Sequence, residues 1–343
     1  MKKLLLVLLV LGMMTSCAKN ASNVADSSSD TKVVETTKAD NSKNEVEKSV
    51  NRMTEREFAF NPDVKFVYTE DDDYMKAITD DMVLMSEDLF GNQGAVEIPT
   101  PYIVKKDLDD KNDIKFYGNF WIYGYEMYGT VFNTKNGSSN PGCYHLKDED
   151  GKITVVSKEF AEDGSKNWES LVKICGGDES LAKKIYGSTN DESEKLRIEY
   201  AKMYAKENKL KFSGIKDYGW PVILLDDISD AEFLYNFYNA YFYEIRQDDV
   251  LNDMPQRLEN LKNKYMTNDL IAKIDEMTMD AGADMIINAQ DVTESMLDTL
   301  QVDDEGNGKL KVTYDLGSES ATEIFVKLSK KNGKKIITDI SYK

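Results

Sequence analysis

All the aromatic residues of this 343-residue chain lie at or after Phe58. The stretch 18–56 also has no glycine and no proline, and it is dense in Ser, Thr, Asn, Lys, Asp and Glu. Such a stretch cannot bury enough apolar surface to offset the entropy that is lost on ordering. We therefore predict a disordered tether over 17–56 and a folded part that begins at residue 57.

Residues 1–16 are typical of a bacterial export signal, with a charged start, the apolar run 4–11 and small residues after it. The apolar run is far shorter than the ~20 residues that a membrane-spanning helix needs. Thr15-Ser16-Cys17 resembles the lipobox of bacterial lipoproteins. The resemblance implies a signal peptide over 1–16, acylation (palmitate) of Cys17 and a cell-envelope location, at the outer membrane if the host is Gram-negative. An ordinary signal peptide followed by an incidental cysteine is the alternative.

The chain is acidic, with 43 Lys+Arg against 62 Asp+Glu and a net charge of −19. This charge argues against sequence-independent nucleic-acid binding, which needs basic surface to displace counterions. An acidic body is also repelled by an anionic bilayer, so we expect the N-terminal lipid to provide the membrane contact. A single histidine excludes metal sites built from several histidines, and we predict no metal and no cofactor.

The pattern of elements predicts an α+β fold with two domains, 57–225 and 226–343, each a mainly antiparallel curved sheet packed on helices. In the first domain we predict a helix over 71–89 with Met and Ile at helical spacing. We predict strands at 95–104, 112–125, 127–133, 142–148 and 152–160, followed by helices at 166–175, 178–186 and 190–208. The segment 114–132 is aromatic on both faces, which indicates a central strand.

The second domain opens with an aromatic helix over 233–243, in which Phe and Tyr recur at 3.6-residue spacing. We predict two shorter helices at 255–265 and 267–277, followed by strands at 296–303, 309–316, 322–330 and 334–342. Asn332-Gly333 is a hairpin signal between the last two strands.

This order resembles the nuclear transport factor 2-like cone, a curved sheet wrapped around a long helix. More narrowly, four segments resemble an uncharacterised domain family that includes YbjP-like bacterial lipoproteins: 237–242, 270–274, Asp284 with 288–291, and 332–340. The resemblance covers about a third of the chain. It implies a fold and an envelope location, and it implies no activity.

Two cysteines of the first domain, Cys143 and Cys175, form a disulfide in one interpretation, because an exported protein lives in an oxidising compartment. Two buried free thiols are the alternative. Cys143 and His145 share a strand face, which suggests a nucleophile and its base. No glycine-rich oxyanion turn accompanies them, and we assign no catalytic residue.

Four polar residues lie between the helices and the last sheet, where a loop would cross the open end of the cone: Asp284, Asn288, Gln290 and Asp291. Their apolar neighbours Met285, Ile286 and Ile287 are suited to pin the loop into the core. We predict that the four contact a ligand or a partner. The alternative is a structural loop whose Asn and Asp side chains cap backbone groups.

These features favour a lipid-anchored envelope protein that is not an enzyme and that binds an envelope protein or a small ligand through its α+β domains. Two other functions stay open. One is an envelope hydrolase that uses acidic residues of the first domain, and the other is a structural accessory subunit of an envelope complex.

Overall fold

The computed structural model describes residues 65–91, 95–187, 191–246, 253–317 and 321–343. The predicted signal peptide, Cys17, the tether and the start of the first domain lie outside the described residues. The described residues all belong to one compact unit, Ser49–Lys343. Within them, none of the helices combines the length and the apolar character that crossing a bilayer requires.

The first half of the described chain is built on a seven-stranded sheet. Its strands are β1 (Val96–Asp107), β2 (Ile114–Tyr128), β3 (Val131–Ser138), β4 (Pro141–Glu149), β5 (Lys152–Phe160), β6 (Gly214–Lys216) and β7 (Ile223–Leu224). Strand β2 is central, because β1 pairs along one of its edges while β4 and then β3 pair along the other. The double-sided aromatic pattern of this strand reflects its burial on both faces.

Four helices cover this sheet: α1 (Asp73–Phe90), α2 (Asn167–Ile174), α3 (Glu179–Tyr186) and α4 (Asp191–Glu207). Helix α1 packs Ile78 and Met82 against a cluster that includes Phe120. Helix α4 packs Tyr200 and Tyr204 into a second cluster, around Tyr125. Because alternate residues of a strand point to opposite faces, α1 and α4 lie on opposite sides of β2.

The second half has four helices and a separate antiparallel sheet, in the strand order β11-β10-β9-β8. The elements are α5 (Asp230–Arg246), α6 (Met254–Tyr265), α7 (Asn268–Ala281), α8 (Glu294–Thr299), β8 (Gln301–Gly306), β9 (Lys309–Asp315), β10 (Ala321–Lys331) and β11 (Lys334–Tyr342). The aromatic helix α5 packs against the apolar face of the sheet. The α+β class is confirmed, and a sheet packed on a long helix is the arrangement expected of a nuclear transport factor 2-like domain.

One predicted element is wrong in part, because the strand expected at 296–303 begins only at Gln301 and is preceded by α8. The Thr293 side chain accepts a hydrogen bond from the Met296 amide and so caps a short helix. This local cap satisfies backbone donors that a strand would have left for a neighbour.

The two halves share buried contacts across the predicted boundary at 225/226. Val222 and Leu224 belong to the same apolar cluster as α5. The Tyr265 hydroxyl donates to the Val222 carbonyl at 2.7 Å and accepts from the Leu224 amide at 2.8 Å. The boundary stays a prediction, and from the shared core we expect the two halves to unfold together.

Candidate functional site

The predicted loop around Asp284 is held by its own backbone and by a tyrosine. The Asp284 amide donates to the Ala289 carbonyl at 2.9 Å, and the Ala289 amide donates back at 3.3 Å. One carboxylate oxygen of Asp284 accepts from the Tyr241 hydroxyl at 2.7 Å. The other accepts from the Ile286 amide at 2.8 Å. Asp284 therefore caps backbone and closes the loop, as the structural alternative expects.

Three further tyrosines hold the buried centre of this loop. Their hydroxyls donate to three successive carbonyls: Tyr342 to Met285, Tyr238 to Ile286 and Tyr314 to Ile287. Burial raises the pKa of Tyr238 and Tyr241 well above the usual value, and with the nearby Asp284 it raises that of Tyr342 to about 12. These three tyrosines and Tyr241 form a set that we call the tyrosine clamp. Their hydroxyls are protonated donors at neutral pH.

The other three predicted residues, Asn288, Gln290 and Asp291, are exposed. Asn288 has φ +45°, in the left-handed region that asparagine tolerates better than most residues. The structure therefore brings Asp284 into the clamp and leaves the other three side chains on the surface, away from the groove described below. Contact of these residues with a ligand or partner stays a prediction.

The cysteines of the first half are both buried, free thiols in the structure, so the disulfide between Cys143 and Cys175 is not formed there. Burial, together with the nearby Glu159, raises the pKa of the Cys143 thiol to about 12. A nucleophilic cysteine needs the opposite shift. His145 places its Nδ1 2.6 Å from an oxygen of Asp113, and this hydrogen bond lowers the pKa of the Asp113 carboxyl. The raised pKa of Cys143 and the pairing of His145 with Asp113 argue against a Cys–His nucleophile at this position.

An open groove of about 770 Å³ lies between the start of α1, the middle of β1 and helix α4. Its apolar wall combines methionine, proline and aliphatic side chains from all three elements: Met75, Pro101, Ile103, Leu196 and Met203. This volume lies within the ~300–1,000 Å³ typical of small-molecule sites. The groove is therefore the candidate binding site among the described residues.

Three tyrosines add polar edges to this wall. The Tyr102 hydroxyl lies 2.8 Å from a carboxylate oxygen of Glu192. The Tyr200 ring stacks on Phe66 at 5.6 Å between centroids and lies 6.1 Å from the Tyr68 ring. Burial is the main cause that raises the pKa of Tyr68 and of Tyr200, and the charge of the nearby Asp72 adds to the shift of both. Aromatic rings with a polar tip suit a ligand that is partly apolar and partly polar.

Charged side chains of both signs form the rim. Lys202 pairs with Asp227 at 2.8 Å and Lys106 with Asp72 at 3.6 Å. Three further charged residues also line the groove: Lys206, Glu70 and Glu199. Within the described ranges, no group of three or more His, Cys, Asp or Glu side chains is arranged to hold a metal ion. The rim therefore suits an organic ligand with charged or polar groups.

The strand β1 enters the groove as an edge strand, since β2 is its one strand partner in the described chain. Pro99 and Pro101 have no amide hydrogen to offer at that edge, and proline on an edge strand opposes pairing with another chain. Gly118 of β2 lets β1 approach closely, because a Cβ there would lie 2.2 Å from the Tyr102 carbonyl oxygen. The two prolines thus oppose the addition of a ligand as a further strand along this edge.

The sequence did not single out this groove. The one signal was the stripe on α4 that includes Leu196, Tyr200 and Met203, which reads equally well as a core-facing surface. The remaining lining residues come from short segments around 68–75 and 101–106, and no pattern in the sequence links these segments to α4.

Comparison with known proteins adds similarity over part of the chain. No protein-family model matches the chain, and no curated protein matches it. A crystal structure of a protein of unknown function from Bacteroides thetaiotaomicron VPI-5482 has 29% sequence identity, covers 32% of this chain and 87% of that chain, and gives a TM-score of 0.30. An Ntf2-like protein involved in plasmid conjugation has 9% identity, covers 74% of this chain and 80% of that chain, and gives a TM-score of 0.15. At these TM-scores neither likeness bears on the function.

Proposed function

We propose that this protein is a lipid-anchored cell-envelope protein that binds a small ligand, or a short segment of a protein partner, in the groove between α1, β1 and α4. The observation that carries the proposal is the groove itself, about 770 Å³ in volume and walled by apolar and aromatic side chains from three elements. Open pockets of this size with a few polar groups are the usual form of a binding site.

The anchor is supported by the export signal and the lipobox-like Thr15-Ser16-Cys17. We expect the protein to enter the detergent phase when cell envelopes are extracted and phase-separated. Cys17→Ser should release the protein or leave an uncleaved precursor. If the Ser variant partitions as the wild type does, the lipid anchor is wrong.

The groove is tested by filling it. Leu196 lines the groove from α4, so Leu196→Trp should occupy part of the volume. Leu84→Trp makes the same change on the exposed side of α1, where Leu84 is 62% exposed. With 1-anilinonaphthalene-8-sulfonate as probe, we expect saturable binding that Leu196→Trp weakens at least ~10-fold, equivalent to about 1.4 kcal/mol. Leu84→Trp should bind as the wild type does. Equal binding by all three would exclude the groove as the site.

The hydrolase alternative has one supporting observation, since Glu70, Glu192 and Glu199 line the same groove. Paired carboxylates can act as acid and base in glycoside or ester hydrolysis. Hydrolysis of chromogenic glycosides or esters that is lost in Glu199→Gln would favour the enzyme. Without such turnover, capture of an envelope protein that Leu196→Trp leaves unchanged would favour the accessory subunit.

A further inference from the structure

A short turn between β6 and β7 presents two large aromatic side chains to solvent. Tyr218 is 69% exposed and Trp220 is 70% exposed. They are the two most exposed aromatic rings among the residues that the structure describes. Single exposed apolar residues are common on soluble proteins, but two exposed rings on one short turn are a concentration of apolar side chains of the kind that marks interaction surfaces.

The turn is held in place by the buried side chain of Lys216. The ammonium group of Lys216 donates to the Asp217 carbonyl at 3.1 Å and to the Trp220 carbonyl at 2.5 Å. The same group pairs with a carboxylate oxygen of Glu244 at 2.5 Å, and both side chains are less than a tenth exposed. The backbone turns through Gly219, at φ +74°. Because a buried lysine fixes both ends of the turn, the exposure of its two rings is a built feature of the fold.

The charges next to this turn are paired within the protein. Asp217 receives both terminal nitrogens of the Arg197 guanidinium, each at 2.7 Å. Lys216 is neutralised by Glu244. The tip itself, Tyr-Gly-Trp-Pro over 218–221, carries no charge. In a chain in which 31% of residues are charged, the turn thus offers aromatic side chains whose two flanking charges are already paired with Arg197 and Glu244.

We propose that this aromatic turn inserts into the headgroup layer of the membrane to which the protein is anchored. Trp and Tyr favour that layer because one end of each ring system is apolar and the other is polar, and an unpaired charge would oppose insertion. The inference rests on the proposed lipid anchor. Residues 18–64 separate Cys17 from the first described residue, Lys65.

The tether predicted over 18–56 would, as a flexible chain, have an end-to-end distance of about 31–37 Å, which would let the folded part turn toward the bilayer. Tethering raises the local concentration of the membrane surface around the turn, so that two rings suffice for a contact that would be too weak in free solution. The acidic body weakens the contact on anionic lipid, so neutral lipid is the surface on which insertion is strongest.

Tryptophan quenching tests this contact directly, because the chain has only three tryptophans. The lipidated full chain is bound to phosphatidylcholine vesicles with brominated or unbrominated acyl chains. We expect brominated lipid to quench the emission of the wild type. The quenching should be lost in Trp220→Phe and kept in Trp168→Phe, which makes the same change on α2, where Trp168 is 37% exposed. Both variants should keep the melting temperature of the wild type, since an aromatic ring is retained and neither tryptophan is buried.

A second format separates the turn from the anchor. The chain with Cys17→Ser and an N-terminal hexahistidine tag is held on phosphatidylcholine vesicles by nickel-chelating lipid. Quenching that depends on Trp220 in this format supports insertion even if the lipidated form fails to float with vesicles, in which case the anchor alone is wrong. No quenching in either format, or equal quenching in Trp220→Phe, overturns insertion. Loss of a captured envelope protein or glycan in Trp220→Phe, without quenching, would make the turn a contact for that partner and also overturn the proposal.

Discussion

The tyrosine clamp makes a quantitative prediction about the loop that the sequence had marked as a ligand contact. Tyr238 is fully buried, and its hydroxyl donates to the Ile286 carbonyl at 3.1 Å. Tyr238→Phe keeps the ring and its packing and removes this one donor. A buried carbonyl left without a donor costs about 1–3 kcal/mol. We therefore expect Tyr238→Phe to lower the free energy of unfolding by about 2 kcal/mol.

The neighbouring donor extends the test. Tyr314 serves the next carbonyl, that of Ile287, and Tyr314→Phe should cost a similar amount. Because the two carbonyls are adjacent, the loss of unfolding free energy in the double variant should differ from the sum of the two single losses. We expect a coupling energy of about 0.5 kcal/mol or greater, of either sign. Strictly additive losses would mean that the two hydrogen bonds act independently of each other.

Calorimetry at neutral pH measures these losses. For a unit of this size, 1 kcal/mol corresponds to about 2 °C in melting temperature, so each single variant should melt about 4 °C below the wild type. Tyr186→Phe is the control, since Tyr186 is 57% exposed and surface changes stay within about 0.5 kcal/mol. If Tyr238→Phe and Tyr314→Phe melt like Tyr186→Phe, the clamp does not stabilise the loop and the reasoning is refuted.

Three further predictions concern pH and backbone geometry. Burial, with Asp284 a further cause at Tyr342, raises the pKa of Tyr123 and of Tyr342 to about 12, against about 10 in the unfolded chain. The folded state thus keeps these protons to a higher pH than the unfolded state does. Their contribution to stability is therefore complete below pH ~10 and is lost as the pH rises from about 10 to about 12. The absorbance of the phenolates should rise above pH ~10, together with unfolding. Gly118→Ala should cost about 2 kcal/mol in denaturant unfolding, because the new Cβ would meet the β1 backbone. Asn288→Ala should lower the free energy of unfolding by about 1 kcal/mol, because residue 288 has a left-handed backbone conformation. Asn288→Gly should lower it by less, and thermal unfolding of the two variants under the same conditions measures the difference.

The elements of the fold could be predicted because their patterns record burial. Strand β2 is aromatic on both faces and has strands on both edges, and α5 carries its aromatic stripe into the core. The loop prediction succeeded for its apolar part, since Met285, Ile286 and Ile287 are buried. It could not separate Asp284, which has a structural role, from the three exposed polar residues. The role of Asp284 depends on a hydroxyl that Tyr241 supplies from helix α5.

The groove could not be predicted from the sequence, for a different reason. Its wall combines residues near 70, near 102 and near 200, and each segment alone has the mixed composition of an ordinary surface. What brings them together is the pairing of β1 with β2 and the packing of α1 and α4 on opposite faces of the sheet. Non-local pairing of this kind leaves no periodic trace in a single sequence, whereas helix α8 was missed for a local reason, a threonine cap.

Helix α4 connects the two surfaces for which we propose contacts. Leu196 lines the groove, and the next residue, Arg197, holds Asp217 at the base of the aromatic turn with two hydrogen bonds of 2.7 Å. A buried ion pair adds little net stability over an apolar pair, but losing one partner costs about 3–5 kcal/mol. The arginine therefore serves to fix the turn relative to α4. If a ligand in the groove displaced α4, the turn would therefore have to move with the helix or the pair between Arg197 and Asp217 would have to break.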